Sequence, residues 1–124
     1  VSPENTQALI DIYPALFSDL SQRSSMYLFG FECGDGWFEL LRCLIQDIKG
    51  ICESNNLDIK INQIKEKYGT LRFYLSSETE ELGRLIAQAE KESAHICEEC
   101  GKPGSMREKC RWYSVKCDEC WARN

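Results

Sequence analysis

Apolar residues recur at helical spacing in three stretches of the chain and alternate with other residues in three more. Leu9, Ile10, Tyr13, Leu16 and Phe17 form the first helical stripe. Ser2-Pro3-Glu4 opens it with a capping hydroxyl, a proline at the first helical position and an acid at the positive end of the dipole. Pro14 predicts an end or kink near Tyr13. The longest helix runs from about Trp37 to Ser54, with Trp37, Leu40, Leu41, Leu44, Ile45, Ile48 and Ile51 on one broad face. It follows the turn Cys33-Gly-Asp-Gly36, in which Asp35 is the expected cap. A third helix carries Leu82, Leu85, Ile86 and Ala89, and Ser77-Glu-Thr-Glu80 reads as its capping box.

The alternating stretches predict strands. Tyr27 to Glu32 is a short one. Asp58–Lys67 and Thr70–Ser76 form a hairpin around Tyr68-Gly69, with Ile59 and Ile61 on one strand and Leu71, Phe73 and Leu75 on the other. Ile64 is out of phase with Ile59 and Ile61, and a bulge between them would restore it. Together these elements predict an α+β protein with helices packed on a small antiparallel sheet.

The last thirty residues follow a different pattern. Cys97-Glu-Glu-Cys100 and Cys117-Asp-Glu-Cys120 are separated by sixteen residues. Each C-x-x-C turn can place two thiolates on one side of an ion, and the second pair can close a tetrahedron. Gly101-Lys-Pro-Gly104 suits the turn that closes the first knuckle, and Arg111–Lys116 suits a returning strand. The pattern predicts a zinc ribbon in which Cys97, Cys100, Cys117 and Cys120 hold one structural Zn2+, with no position left open for water. The domain reading is therefore an α+β body over 1–94 and a zinc-ribbon module over 95–124, packed on the body. His95 is a weaker candidate ligand beside four cysteines. Cys110 falls near a hairpin turn as an exposed thiol, and Cys33, Cys43 and Cys52 suit core or turn positions. A thioredoxin-like role for the pairs would call for a βαβ setting, which the pattern does not predict.

Eight cysteines also raise the possibility of a disulfide scaffold. Four of them have metal spacing, and Cys43 and Cys52 on one helix would be about 13 Å apart along its axis, beyond the ~7 Å limit for a bridge. No apolar signal-like stretch opens the chain as given, and no run approaches the ~20 residues of a membrane span. A reducing cytosol is the expected compartment.

The net charge of −5 argues against wholesale wrapping of nucleic acid. The charge is uneven: residues 1–94 hold nine Lys/Arg against fifteen Asp/Glu, and residues 95–124 hold six against five. One histidine, no glycine-rich phosphate loop and no nucleophile elbow argue against an enzyme. Glu98, Glu99, Asp118 and Glu119 are expected to be solvated knuckle residues. A protein partner is the leading expectation, with Trp37 and Trp121 as candidate anchors. Nucleic acid is the alternative, through the basic stretch Arg107, Lys109, Arg111 and Lys116 interleaved with Trp112 and Tyr113. Those two rings could instead pack the ribbon against the body. Lys65, Lys67 and Arg72 on the hairpin read as a solvated face.

Three strings carry a family resemblance: Phe29-Gly-Phe-Glu-Cys-Gly-Asp-Gly-Trp37, Gln63-Ile-Lys-Glu-Lys-Tyr-Gly-Thr-Leu-Arg-Phe-Tyr74 and Cys97-Glu-Glu-Cys-Gly-Lys-Pro-Gly104. Over about residues 30–124 the chain resembles a group of small bacteriophage and prophage proteins with a G-W helix motif, a K-E-K-[FY]-G-x-L-R-F-Y hairpin and a C-terminal zinc ribbon. The second knuckle of that group is often C-x-E-H; here it is Cys117-Asp-Glu-Cys120, which keeps a ligand at the last position. The group's turn near Lys109-Cys110 is more often glycine-rich. The resemblance implies a mobile-element origin and no particular reaction. By analogy with small acidic phage proteins, it implies binding to a host or phage protein, including inhibition of host defence machinery.

Overall fold

The computed structural model describes residues 1–18, 26 and 30–123. Helix α1 (Pro3–Ile12) starts as its residues dictate, with the Ser2 hydroxyl accepting from the Asn5 N–H at 3.1 Å. It stops before Pro14, which opens a short 3-10 turn over Pro14–Phe17 that buries Leu16. Strand β1 is Phe31–Glu32. Of the rest of the predicted strand, Gly30 is described and stands outside it at φ 64, where the left-handed backbone breaks an extended run, and 27–29 lie outside the described residues. After a 3-10 turn at Asp35–Trp37, α2 (Phe38–Ser54) buries Leu40, Leu41, Leu44, Ile45, Ile48 and Cys52.

Strands β2 (Ile61–Lys67) and β3 (Thr70–Leu75) form the expected antiparallel hairpin. The register shifts between Ile61 and Gln63, so Ile59, Ile61 and Ile64 all reach the core. Leu71, Phe73 and Leu75 join them from β3.

The sheet is not wholly antiparallel. Its order is β1-β2-β3, and β1 runs parallel to β2, pairing Phe31 with Ile64 and Glu32 with Lys65. Parallel neighbours need a long crossover, and α2 supplies it. The unit β1-α2-β2 is thus a short βαβ arrangement that the periodicity did not reveal, and the two cysteine pairs lie outside it.

Helix α3 (Glu80–Ser93) is capped by Thr79, whose hydroxyl accepts from the Leu82 N–H at 3.2 Å. Ser77 is not the cap, because Glu80 is already the first helical residue. Asp35 likewise does not cap α2. Its carboxylate accepts from the Ser2 N–H at 2.7 Å and from the Asn5 amide at 3.1 Å, tying the start of α1 to the turn before α2.

Helix α3 also shields the free edge of β3. The buried Ser93 hydroxyl accepts from the Leu71 N–H at 2.9 Å and donates to the Glu90 carbonyl at 2.5 Å, while the Glu90 carboxylate accepts from the Phe73 N–H at 3.1 Å. An unpaired edge is a template for unwanted pairing, and these side chains occupy it. Ser93→Ala would leave the Leu71 N–H buried without a partner. We expect a loss of about 1–3 kcal/mol, read by urea denaturation; an unchanged midpoint would contradict this role.

Candidate metal centre

Helix α3 ends four residues before Cys97. An isolated bridge pairs Ile96 with Pro103, the Cys97 N–H donates to the Lys102 carbonyl at 2.8 Å, and Gly101 N–H donates back to the Cys97 carbonyl at 2.9 Å. This closes the first knuckle. Gly101 sits at φ +83, in the left-handed region, and a Cβ there would press on the Gly36 carbonyl. Strands β4 (Ser105–Lys109) and β5 (Trp112–Lys116) then leave and return around a tight turn with Cys110 and Arg111 at φ 53 and 65. Cys117 caps the short helix α4 (Asp118–Ala122), its sulfur accepting from the Cys120 N–H at 3.4 Å.

The result brings Cys97, Cys100, Cys117 and Cys120 together with every Sγ within 4.8 Å of the others. The Cys100 and Cys117 sulfurs are 3.6 Å apart. Cys97, Cys117 and Cys120 are buried and Cys100 is exposed. Such a cluster can hold one metal ion. His95 is not part of it. Among the thiols, burial opposes ionisation of Cys97, but N–H donors from Cys117, Cys100 and Glu99 outweigh it and bring the group down to about 6. Burial, with the neighbouring thiols, pushes Cys120 up to about 12. Cys110 is exposed at the β4–β5 tip, Cys33 and Cys52 are buried, and Cys43 is exposed on α2 rather than in the core.

Three of the four knuckle acids face cations at the surface. Glu99 meets Lys116 at 3.1 Å and Arg123 at 3.6 Å, Asp118 meets Arg107 at 2.6 Å, and Glu119 meets Lys102 at 3.5 Å. Glu98 departs from the expected solvated role. Its carboxylate accepts from the Gly34 N–H at 2.8 Å and its carbonyl accepts from the Gly36 N–H at 2.7 Å. Burial pushes its carboxyl above the usual range, against the pull of the Gly34 N–H. A Cβ on either glycine would overlap the Glu98 backbone, so Gly34 and Gly36 permit this close docking. Trp37 completes the joint: its indole N–H donates to the Ile96 carbonyl at 3.0 Å.

Trp37 is therefore no surface anchor. Its side chain is fully buried, because it is the pivot between body and cysteine module. Trp121 is half-buried on α4, with the Arg107 guanidinium 5.9 Å from its ring centre. Arg111 is exposed, Trp112 is 72% exposed and Tyr113 is 39% exposed. Trp112 thus does not pack the module against the body, whereas Tyr113 is partly covered beside Glu66, Lys67 and Tyr68.

The fold adds a neighbour that sequence reasoning did not select. The β2–β3 turn places Tyr68, 69% exposed, and Lys67 beside the β4–β5 tip, where Glu66, Lys67, Tyr68, Arg111, Trp112 and Tyr113 line a groove of about 320 Å3. Gly69 holds φ +91, in the left-handed region, and faces the flexible Met106 side chain of β4. Tyr68 itself holds φ 53, in the left-handed region, which is uncommon for a bulky side chain. The signal in the sequence was an aromatic residue, Tyr68, at the hairpin turn next to Gly69. No protein-family model, curated protein or solved structure gives a significant match to the chain.

Proposed function

We propose that the chain is a zinc-clamped binding protein that acts by docking a macromolecule and not by catalysis. Zn2+ suits the donor set, because four soft thiolates at about 2.3 Å from one ion stand roughly 3.8 Å apart in a tetrahedron, close to the 3.6 Å between the Cys100 and Cys117 sulfurs. With four protein ligands such a site is structural. The docking face is the paired hairpin tips. The observation that carries this reading is the exposure of Tyr68 and Trp112 side by side on two separate hairpins, along one groove. Tyrosine, tryptophan and arginine dominate interface hot spots, and all three types meet here. Among the described residues, no helix is long and apolar enough to cross a membrane.

The phage-type resemblance and the acidic body point to a host or phage protein in the bacterial cytosol, including a component of host defence, as one class of partner for the protein. The cations at the tips favour a polyanion as a second reading. A Tyr68→Ala, Trp112→Ala double variant tests the face itself. We expect it to melt like the parent, since neither ring is buried, and to lose capture of partners from bacterial lysate. Undiminished capture by the folded variant would remove this surface from the proposal.

A further inference from the structure

We infer that the occupant of the paired-tip face is single-stranded nucleic acid; this rests on the reading of that face as the docking surface. Trp112 borders two grooves. One is the 320 Å3 groove shared with Tyr68 and Tyr113; the other, of about 460 Å3, continues along Lys109, Ser114 and Lys116 to Trp121. The indole lines both grooves and is 72% exposed, so it is accessible to a planar group. Unpaired bases offer such planar groups, and base–aromatic stacking tolerates any sequence.

The charge along the track agrees. Lys67 and Arg111 line the smaller groove, and Lys109 and Lys116 the larger. The carboxylates in the two grooves are Glu66 and Glu98. Both are engaged by backbone donors: Glu66 accepts from the Gly69 N–H at 2.6 Å and Glu98 from the Gly34 N–H at 2.8 Å. Lys116 is shared with Glu99 and would keep that contact at the rim. Four cations against two carboxylates line the two grooves, although the whole chain is acidic, so the charge of this face complements a phosphate backbone. A duplex has its bases stacked internally and offers the rings little, which makes a single strand the fitting partner.

The test uses zinc-loaded full-length protein and a fluorescent oligothymidylate of about 15 nucleotides. We expect binding whose log K falls with log salt at a slope of about −1.4, as two phosphate contacts, from Lys67 and Arg111, give on a single strand. Trp112→Ala should weaken it about tenfold. Arg84→Ala, which removes a cation on α3 outside the face, should leave it unchanged. Absence of binding, equal affinity for a duplex of the same length, or an undiminished affinity of Trp112→Ala would each overturn the inference. If the oligonucleotide fails while the Tyr68→Ala, Trp112→Ala variant still loses a protein partner, the docking face stands and only its ligand class falls. If both fail, the docking face falls as well.

Discussion

Stripping the metal with a chelator should unfold the cysteine module and lower the melting temperature of the whole chain. Apart from its cysteines, the module buries only Val115 among its described apolar side chains. A segment of about thirty residues with so small a core is not self-sufficient. Zinc binding supplies on the order of 10–16 kcal/mol in isolated finger peptides. Loss of the knuckle also removes the Glu98 bonds to Gly34 and Gly36 and the Trp37 bond to Ile96. At about 1 kcal/mol each, these three give roughly 3 kcal/mol, or ~10–20 °C for a domain of this size. Ile96 packs on the body core and transmits the effect, whereas the exposed Trp112 does not. Cys117→Ser should behave like chelation, since a hydroxyl can keep the helix cap but is a poor zinc ligand. Acid should act in the same direction: the ligands bind metal as thiolates, so the clamp is complete at neutral pH and is lost as pH falls and protons displace the ion. Calorimetry with and without chelator checks the prediction; identical melts would refute it.

Trp37→Ala should be the most damaging single change in the body, by about 3–5 kcal/mol. Trp37 is among the largest fully buried side chains. Its removal opens a cavity where α2 begins and takes the donor from the Ile96 carbonyl. Trp37→Phe separates the two effects, keeping most of the packing and losing the bond, for about 1–3 kcal/mol. Urea titrations of both variants give the comparison. Binding per folded molecule should be unaffected in Trp37→Phe, because the residue lies outside the paired tips. A binding defect without loss of stability would return Trp37 to the interface.

The burial of Trp37 shows where sequence reasoning stops. The residue has the same local signature whether it anchors a partner or an internal joint. Only the knuckle at 96–98, folded back over Gly34 and Gly36, distinguishes the two. Thr79 replaces Ser77 as a cap, and Asp35 bonds to α1 and not to α2, for a related reason: several polar residues near a helix start can cap it, and the path of the preceding chain selects one. By contrast, the Tyr68-Gly69 turn, the Ile61–Ile64 bulge and the Ser2-Pro3 helix start were legible, because each depends on neighbours within a few residues.

The sequence by itself determined the three longer helices, the β2–β3 hairpin and the identity of the four clustered cysteines, since periodicity, capping and C-x-x-C spacing are local and leave little freedom; the short α4 after Cys117 was not among them. Tertiary structure alone decided the parallel pairing of β1, the docking of Glu98 on two glycines and the meeting of Tyr68 with Trp112. Those contacts join residues far apart in the chain, and their geometry is set by how helices and sheet pack around a shared core, which no local pattern encodes.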